Sequence, residues 1–207
     1  MKKYILTIVA VFFAVSSFAL TFDDGMNAYN QQNYKKAAEI WTTLANAGNV
    51  DAMYNLGVLY IKGQGVTASD FTGAKWAGQA ADRGHTRAKY TMGLLYKSGS
   101  GVSQDRGEAY RNFYFAAKAG IAEAQYELAD MYEEIPHFYR VDEALGLYKK
   151  AAEQGVAQAQ YVLGVRYCYG LAVKEDRKEG TFWAKQAIQS GFFGEKALKD
   201  IKDACGL

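Results

Sequence analysis

Five glycines, Gly48, Gly84, Gly120, Gly155 and Gly191, stand 36, 36, 35 and 36 residues apart along this chain. A fixed period of this size marks a solenoid, in which each unit buries its apolar face only against its neighbours. The stretch from Tyr54 to Gly84 recurs from Tyr90 to Gly120, from Tyr126 to Gly155 and from Tyr161 to Gly191.

Each unit reads as two helices. In the first, an alanine is followed by an apolar residue four positions on and a tyrosine four beyond that. The sets are Ala52, Leu56 and Tyr60; Ala88, Met92 and Tyr96; Ala124, Leu128 and Tyr132; and Ala159, Leu163 and Tyr167. Spacing of four keeps each set on one helical stripe. Gly57, Gly93, Ala129 and Gly164 lie beside that stripe. A mid-helix glycine costs about 1 kcal/mol against alanine, so its recurrence implies close approach of a second helix. That helix repeats small residues around a larger one: Gly73, Trp76 and Ala80; Ala109, Asn112 and Ala116; Ala144, Leu147 and Ala151; Gly180, Trp183 and Ala187. Such a surface packs ridge into groove.

The punctuation agrees. Asp105 with Glu108 and Asp176 with Glu179 have capping-box spacing, and Asp142 is placed to cap the matching helix of its unit. The closing glycines suit the left-handed position after a helix end. Gly63-Gln64-Gly65-Val66 and Gly99-Ser100-Gly101-Val102 read as turns with a buried valine behind them, and Gly170-Leu171-Ala172-Val173 takes their place in the last unit.

Ala-x-x-x-Leu-Gly-x-x-Tyr, a Gly-x-Gly-Val turn and a second helix closing on Ala-Ala-x-x-Gly resemble Sel1-like repeats, relatives of the tetratricopeptide repeat with a longer internal turn. The resemblance implies an all-α fold, a right-handed α/α superhelix of helix pairs that works by binding other proteins. Its units would span 49–84, 85–120, 121–155 and 156–191. A shorter unit, 23–48, would precede them, with Gly25, Ala28, Tyr29, Tyr34, Ala37 and Ala38 closer to the tetratricopeptide pattern. A last helix within 192–207, with Ala197, Leu198, Ile201 and Cys205 on one side, would cap the stack.

Residues 1–19 stand outside this pattern. Lys2 and Lys3 precede an apolar run from Tyr4 to Val15, and Ser17-Phe18-Ala19 is a small-x-small cleavage site. That is the pattern of a bacterial signal peptide, too short for a typical membrane span. The chain is therefore expected in the periplasm or outside the cell, without membrane insertion after cleavage. Loss of Lys2 and Lys3 leaves 22 basic residues against 22 acidic, which gives no electrostatic footprint for nucleic acid. Half of the residues are hydrophobic and 14% aromatic, enough for one elongated domain with a sizeable core.

Two cysteines in an exported chain point to a disulfide, Cys168 with Cys205. They are 37 residues apart, nearly one repeat. Matching positions on packed helices lie about 8–10 Å apart, whereas a disulfide needs about 4.4–6.8 Å between Cα atoms. The cap helix must lean in, or both remain buried thiols. The two histidines, His85 and His137, are far in sequence from both cysteines, so no metal-ligand spacing arises and no cofactor is implied. His85 reads as a solvated connector. Catalytic motifs such as Gly-x-Ser-x-Gly or His-Glu-x-x-His are absent, so no enzyme is expected.

The tetratricopeptide resemblance places partner-binding positions on the concave face, at −3, +1 and +4 from the Leu-Gly glycine. These are Tyr54, Val58 and Ile61; Tyr90, Leu94 and Lys97; Tyr126, Asp130 and Glu133; and Tyr161, Val165 and Cys168. The four tyrosines would form an aromatic ladder, either binding a partner or packing the repeats. The third unit departs from the pattern at Glu133-Glu134-Ile135-Pro136-His137-Phe138-Tyr139-Arg140. Its His137, Phe138, Tyr139 and Arg140 are either tucked under the turn or offered to a partner. The expectation is a protein-interaction scaffold with a protein partner. The alternatives are an immunity protein neutralising a secreted effector, or a hydrolase of cell-wall or β-lactam substrates.

Overall fold

The computed structural model describes residues 20–134 and 140–207. Over them the chain forms eleven helices: α1 (Phe22–Asn30), α2 (Tyr34–Asn46), α3 (Val50–Lys62), α4 (Asp70–Asp82), α5 (Thr86–Ser98), α6 (Arg106–Lys118), α7 (Ala122–Glu134), α8 (Val141–Glu153), α9 (Ala157–Tyr169), α10 (Arg177–Gln189) and α11 (Glu195–Cys205). They pack in sequential pairs, α1 with α2 through to α9 with α10, and each second helix packs on the first helix of the next pair. The last helix, α11, rests on α9 and α10. The result is an all-α solenoid.

The stripe read from the sequence is the seam of the stack. Ala52, Leu56, Ala88, Met92, Ala124, Leu128, Ala159 and Leu163 are all buried. The mid-helix glycines sit where the pairs touch. A Cβ on Gly57 would lie 3.0 Å from the Gly73 carbonyl and the Ala77 nitrogen, and one on Gly164 3.0 Å from the Ala184 nitrogen. Backbone meets backbone there, and the glycine is kept despite its poor helix propensity.

The two-glycine turns have a reason that the local pattern concealed. Gly65 and Gly101 have φ of +71° and +70°. A Cβ on Gly65 would fall on the backbone at Tyr34, and one on Gly101 on the Asp70 carbonyl. Each turn therefore rests on the start of the second helix of the preceding unit. Ala172 holds the matching place in the last unit at φ +57°.

The helix starts correct part of the reading. Asp105 accepts from the Glu108 N–H at 3.0 Å, and Asp176 from the Glu179 N–H at 3.0 Å. The return bonds of a capping box are not made. Glu108 instead pairs with Arg111, and Glu179 accepts from the Trp183 indole at 2.9 Å. The N-cap of α8 is Arg140, without a side-chain cap, and Asp142 lies inside its first turn. A complete box forms at α1, between Thr21 and Asp24. The valines behind the turns, Val66 and Val102, are only partly buried.

The cap helix leans in as the disulfide requires. Cys168 of α9 and Cys205 of α11 are bonded, with Cα atoms 5.2 Å apart. Direct packing of α11 on α9 brings this pair nearer than two ordinary neighbouring helices would. Residues 1–19, and His137, Phe138 and Tyr139 of the variant turn, lie outside the described residues.

Candidate functional site

The positions predicted for a partner lie on α3, α5, α7 and α9. Their tyrosines, Tyr54, Tyr90, Tyr126 and Tyr161, are all half-buried. Each pairs with a different ring: Tyr54 with His85 at 4.4 Å, Tyr90 with Phe113 at 6.0 Å, Tyr126 with Tyr148 at 5.8 Å and Tyr161 with Phe193 at 4.9 Å between centroids. Among the described residues the rungs of the ladder do not stack on one another. The second helix of each pair, or the connector that follows, supplies the facing ring.

Charges join the first helices across repeats. Lys97 of α5 donates to Glu127 at 2.8 Å and to Asp130 at 3.4 Å, both on α7. Arg166 of α9 reaches back to Glu133 of α7 with both carboxylate oxygens at 2.5 Å. The guanidinium also lies 5.2 Å above the Tyr148 ring, a cation–π contact. Lys97, Asp130 and Glu133 thus come together with two residues that the motif reading passed over, Glu127 and Arg166. The separation of 33 residues in Lys97–Asp130 and Glu133–Arg166 is one period less three, a regularity present in the sequence but visible only once opposite charges are compared across units.

This polar strip acts on the phenols beside it. Burial, with Glu127 and Glu123 nearby, pushes Tyr90 up to about 12. Burial and then Asp130 raise Tyr126, and burial and then Glu133 raise Tyr148. These groups stay protonated at neutral pH, so they offer hydrogen bonds and apolar edges and no phenolate nucleophile. Burial is the largest influence on Lys97 and opposes its charge, but the hydrogen bonds and charges of Glu127 and Asp130 together outweigh it and raise the pKa. Lys97 also borders a cleft of about 450 Å³ with Tyr96, Gln104, Arg106 and Glu134.

The remaining predicted positions are more structural. Ile61 packs onto the backbone at Gly73, and Leu94 joins the core around Phe113. Val58 is half-buried, and Val165 packs beside the Cys168 cluster. Cys168 itself is 1% exposed and lies beneath α11, so it lines no groove. Arg140 is exposed, 3.9 Å from Glu143 and above the Tyr132 ring.

His85 overturns its reading as a solvated connector. Its side chain is 17% exposed. Nδ1 accepts from the Ala88 N–H at 3.0 Å, capping α5, and Nε2 lies 3.4 Å from Asp51 of α3. Histidine is not among the usual cap residues, and this one was masked by its position after a helix-ending glycine.

Among the described residues no group of three His, Cys, Asp or Glu side chains is arranged to hold a metal ion. No described helix is long and apolar enough to cross a membrane.

The Sel1 repeat profile matches residues 50–85, 86–121, 122–134, 141–156 and 157–192. Among solved structures, a Sel1 repeat protein from Oxalobacter formigenes is similar at 28% identity and a TM-score of 0.75, over 88% of this chain and 75% of that one. A protective antigen of uropathogenic Escherichia coli strains, displaying an SLR fold, is 27% identical with a TM-score of 0.73. That match covers 88% of this chain and 41% of the antigen. An immunity protein from Pseudomonas aeruginosa shares the fold at 19% identity and a TM-score of 0.55, over 88% and 81% of the two chains. No curated protein sequence matches significantly.

Proposed function

This chain belongs to the Sel1 repeat family, and on that premise we propose that it is an exported interaction scaffold holding a protein partner along its first-helix face. One observation carries the reading. Lys97, Glu127, Asp130, Glu133 and Arg166 join α5, α7 and α9 into one polar strip flanked by the edges of Tyr90 and Tyr126. A surface assembled from several units suits an extended partner, whose contacts accumulate repeat by repeat. Neutral phenols beside fixed charges are well suited to binding, and tyrosine is favoured at binding hot spots.

Export is supported by two features. The disulfide between Cys168 and Cys205 is at home in an oxidising compartment. Residues 1–19 have the charge, apolar run and small-residue site of a signal peptide. The periplasm or the exterior is the proposed location.

The test is a pull-down from periplasm with Tyr54→Ala, Tyr90→Ala and Tyr126→Ala variants. Recovery of the captured partner should fall about tenfold while far-UV circular dichroism stays unchanged. Undiminished recovery, or a large loss of helicity, would make the tyrosines packing residues and end the reading.

A further inference from the structure

A cleft on the second-helix side of the solenoid recurs in register. One copy, about 390 Å³, lies between α4 and α6, and the next, about 530 Å³, between α6 and α8. Lining residues Ala81, Met92, Tyr96, Glu108 and Arg111 of the first correspond to Ala117, Leu128, Tyr132, Glu143 and Gly146 of the second. The repeat does not require glycine at the last of these places. Lys75, Arg111 and Phe182 hold it in the other three full units, and Arg111 is ion-paired with Glu108 one turn earlier on α6.

Gly146 is therefore anomalous. It is exposed in the middle of α8, and a Cβ there would meet nothing within 4 Å. Mid-helix glycine weakens a helix, and here no contact within the fold explains it, unlike Gly57 or Gly164. Its effect is to leave the cleft wall bare, with Tyr114 and Leu147 beside it. Tyr114 remains 38% exposed. Lys118 and Lys150 stand at the same cleft, and among the described residues neither forms an ion pair with a carboxylate.

We infer that this cleft between α6 and α8 is a second docking surface, built for an amphipathic helix whose apolar stripe is flanked by carboxylates. A bare helix backbone lets another helix approach closely. Tyr114 and Leu147 receive the apolar stripe, in the helix-in-groove mode, and the two ammonium groups meet the acidic flanks. The surface is separate from the first-helix face, so a chain engaged on one side remains free on the other.

The probe is a fluorescein-labelled helical peptide of about 20 residues, leucine on one face and glutamate beside it, with a lysine-for-glutamate twin. Fluorescence anisotropy should give the glutamate peptide at least tenfold tighter binding than its twin. Gly146→Gln should weaken it about tenfold while Tm holds or rises, because the substitution improves the helix and its Cβ meets nothing within 4 Å. Lys118→Glu with Lys150→Glu should reverse the preference. Equal binding of the twins, or affinity within twofold in Gly146→Gln, would overturn the assignment. So would loss of binding in Tyr90→Ala and Tyr126→Ala but not in Gly146→Gln, which would move the peptide to the first-helix face.

Discussion

Arg166 of α9 holds Glu133 of α7 with both carboxylate oxygens, 33 residues away along the chain. The two side chains are 15% and 23% exposed, so water screens them less than a surface pair. Arg166→Met leaves the carboxylate poorly solvated and should cost about 1–3 kcal/mol. Adding Glu133→Gln should restore part of that loss, because the stranded charge is gone. Urea unfolding of the four chains in a double-mutant cycle measures the coupling. A coupling energy near zero would mean that the pair only decorates the seam.

The disulfide is expected to pin the cap helix. α11 packs chiefly on α9 and α10 and has no following repeat pair stacked on it among the described residues, so it should open before the rest of the stack. Closing a 37-residue separation is worth roughly 3–4 kcal/mol in the chain-entropy model. Reduction, or Cys205→Ser, should lower Tm and speed amide exchange in 195–205 first. Unchanged thermal stability after reduction would refute the pinning role.

His85 should make the junction between α3 and α5 acid-sensitive. Its Nδ1 must be unprotonated to accept from Ala88, and burial lowers its pKa below the usual 6.5, with Asp51 opposing and Arg87 reinforcing that shift. A lowered folded pKa means that stability is complete above the unfolded value. It is lost as pH falls through the folded one. His85→Asn keeps a capping acceptor and should flatten the stability profile between pH 7 and pH 5. A profile unchanged by that substitution would dismiss the histidine as its source.

The last turn carries strain that a single substitution should release. Ala172 has φ of +57°, a region costly for a side chain. Ala172→Gly should stabilise by about 0.5–1 kcal/mol. Gly101→Ala should do the reverse, by on the order of 2 kcal/mol or more, because its Cβ would also meet the Asp70 carbonyl. Paired thermal melts of the two variants test both signs at once.

The period, the helix pairs and the apolar seam were legible without coordinates, because each is a local periodicity: four-residue spacing within a helix, and about 36 residues between units. The Leu-Gly seam is local in the same sense, since a glycine recurring in mid-helix already implies a neighbour.

Other features depend on which residue of another unit lies opposite, and the sequence carries only half of each such contact. Gly65 and Gly101 looked like turn residues, yet their hydrogens are needed because Tyr34 and Asp70 of the preceding unit lie against them. His85 became a cap because the connector turns its ring onto Tyr54. The tyrosine ladder took its ring partners from second helices and connectors, and Glu127 and Arg166 joined the strip because stacking sets them opposite Lys97 and Glu133 of neighbouring repeats. The repeat by itself determined the path of the backbone. Only the stacking of unit on unit decided which side chains meet, since that depends on the offset and tilt between helices that are distant in the chain.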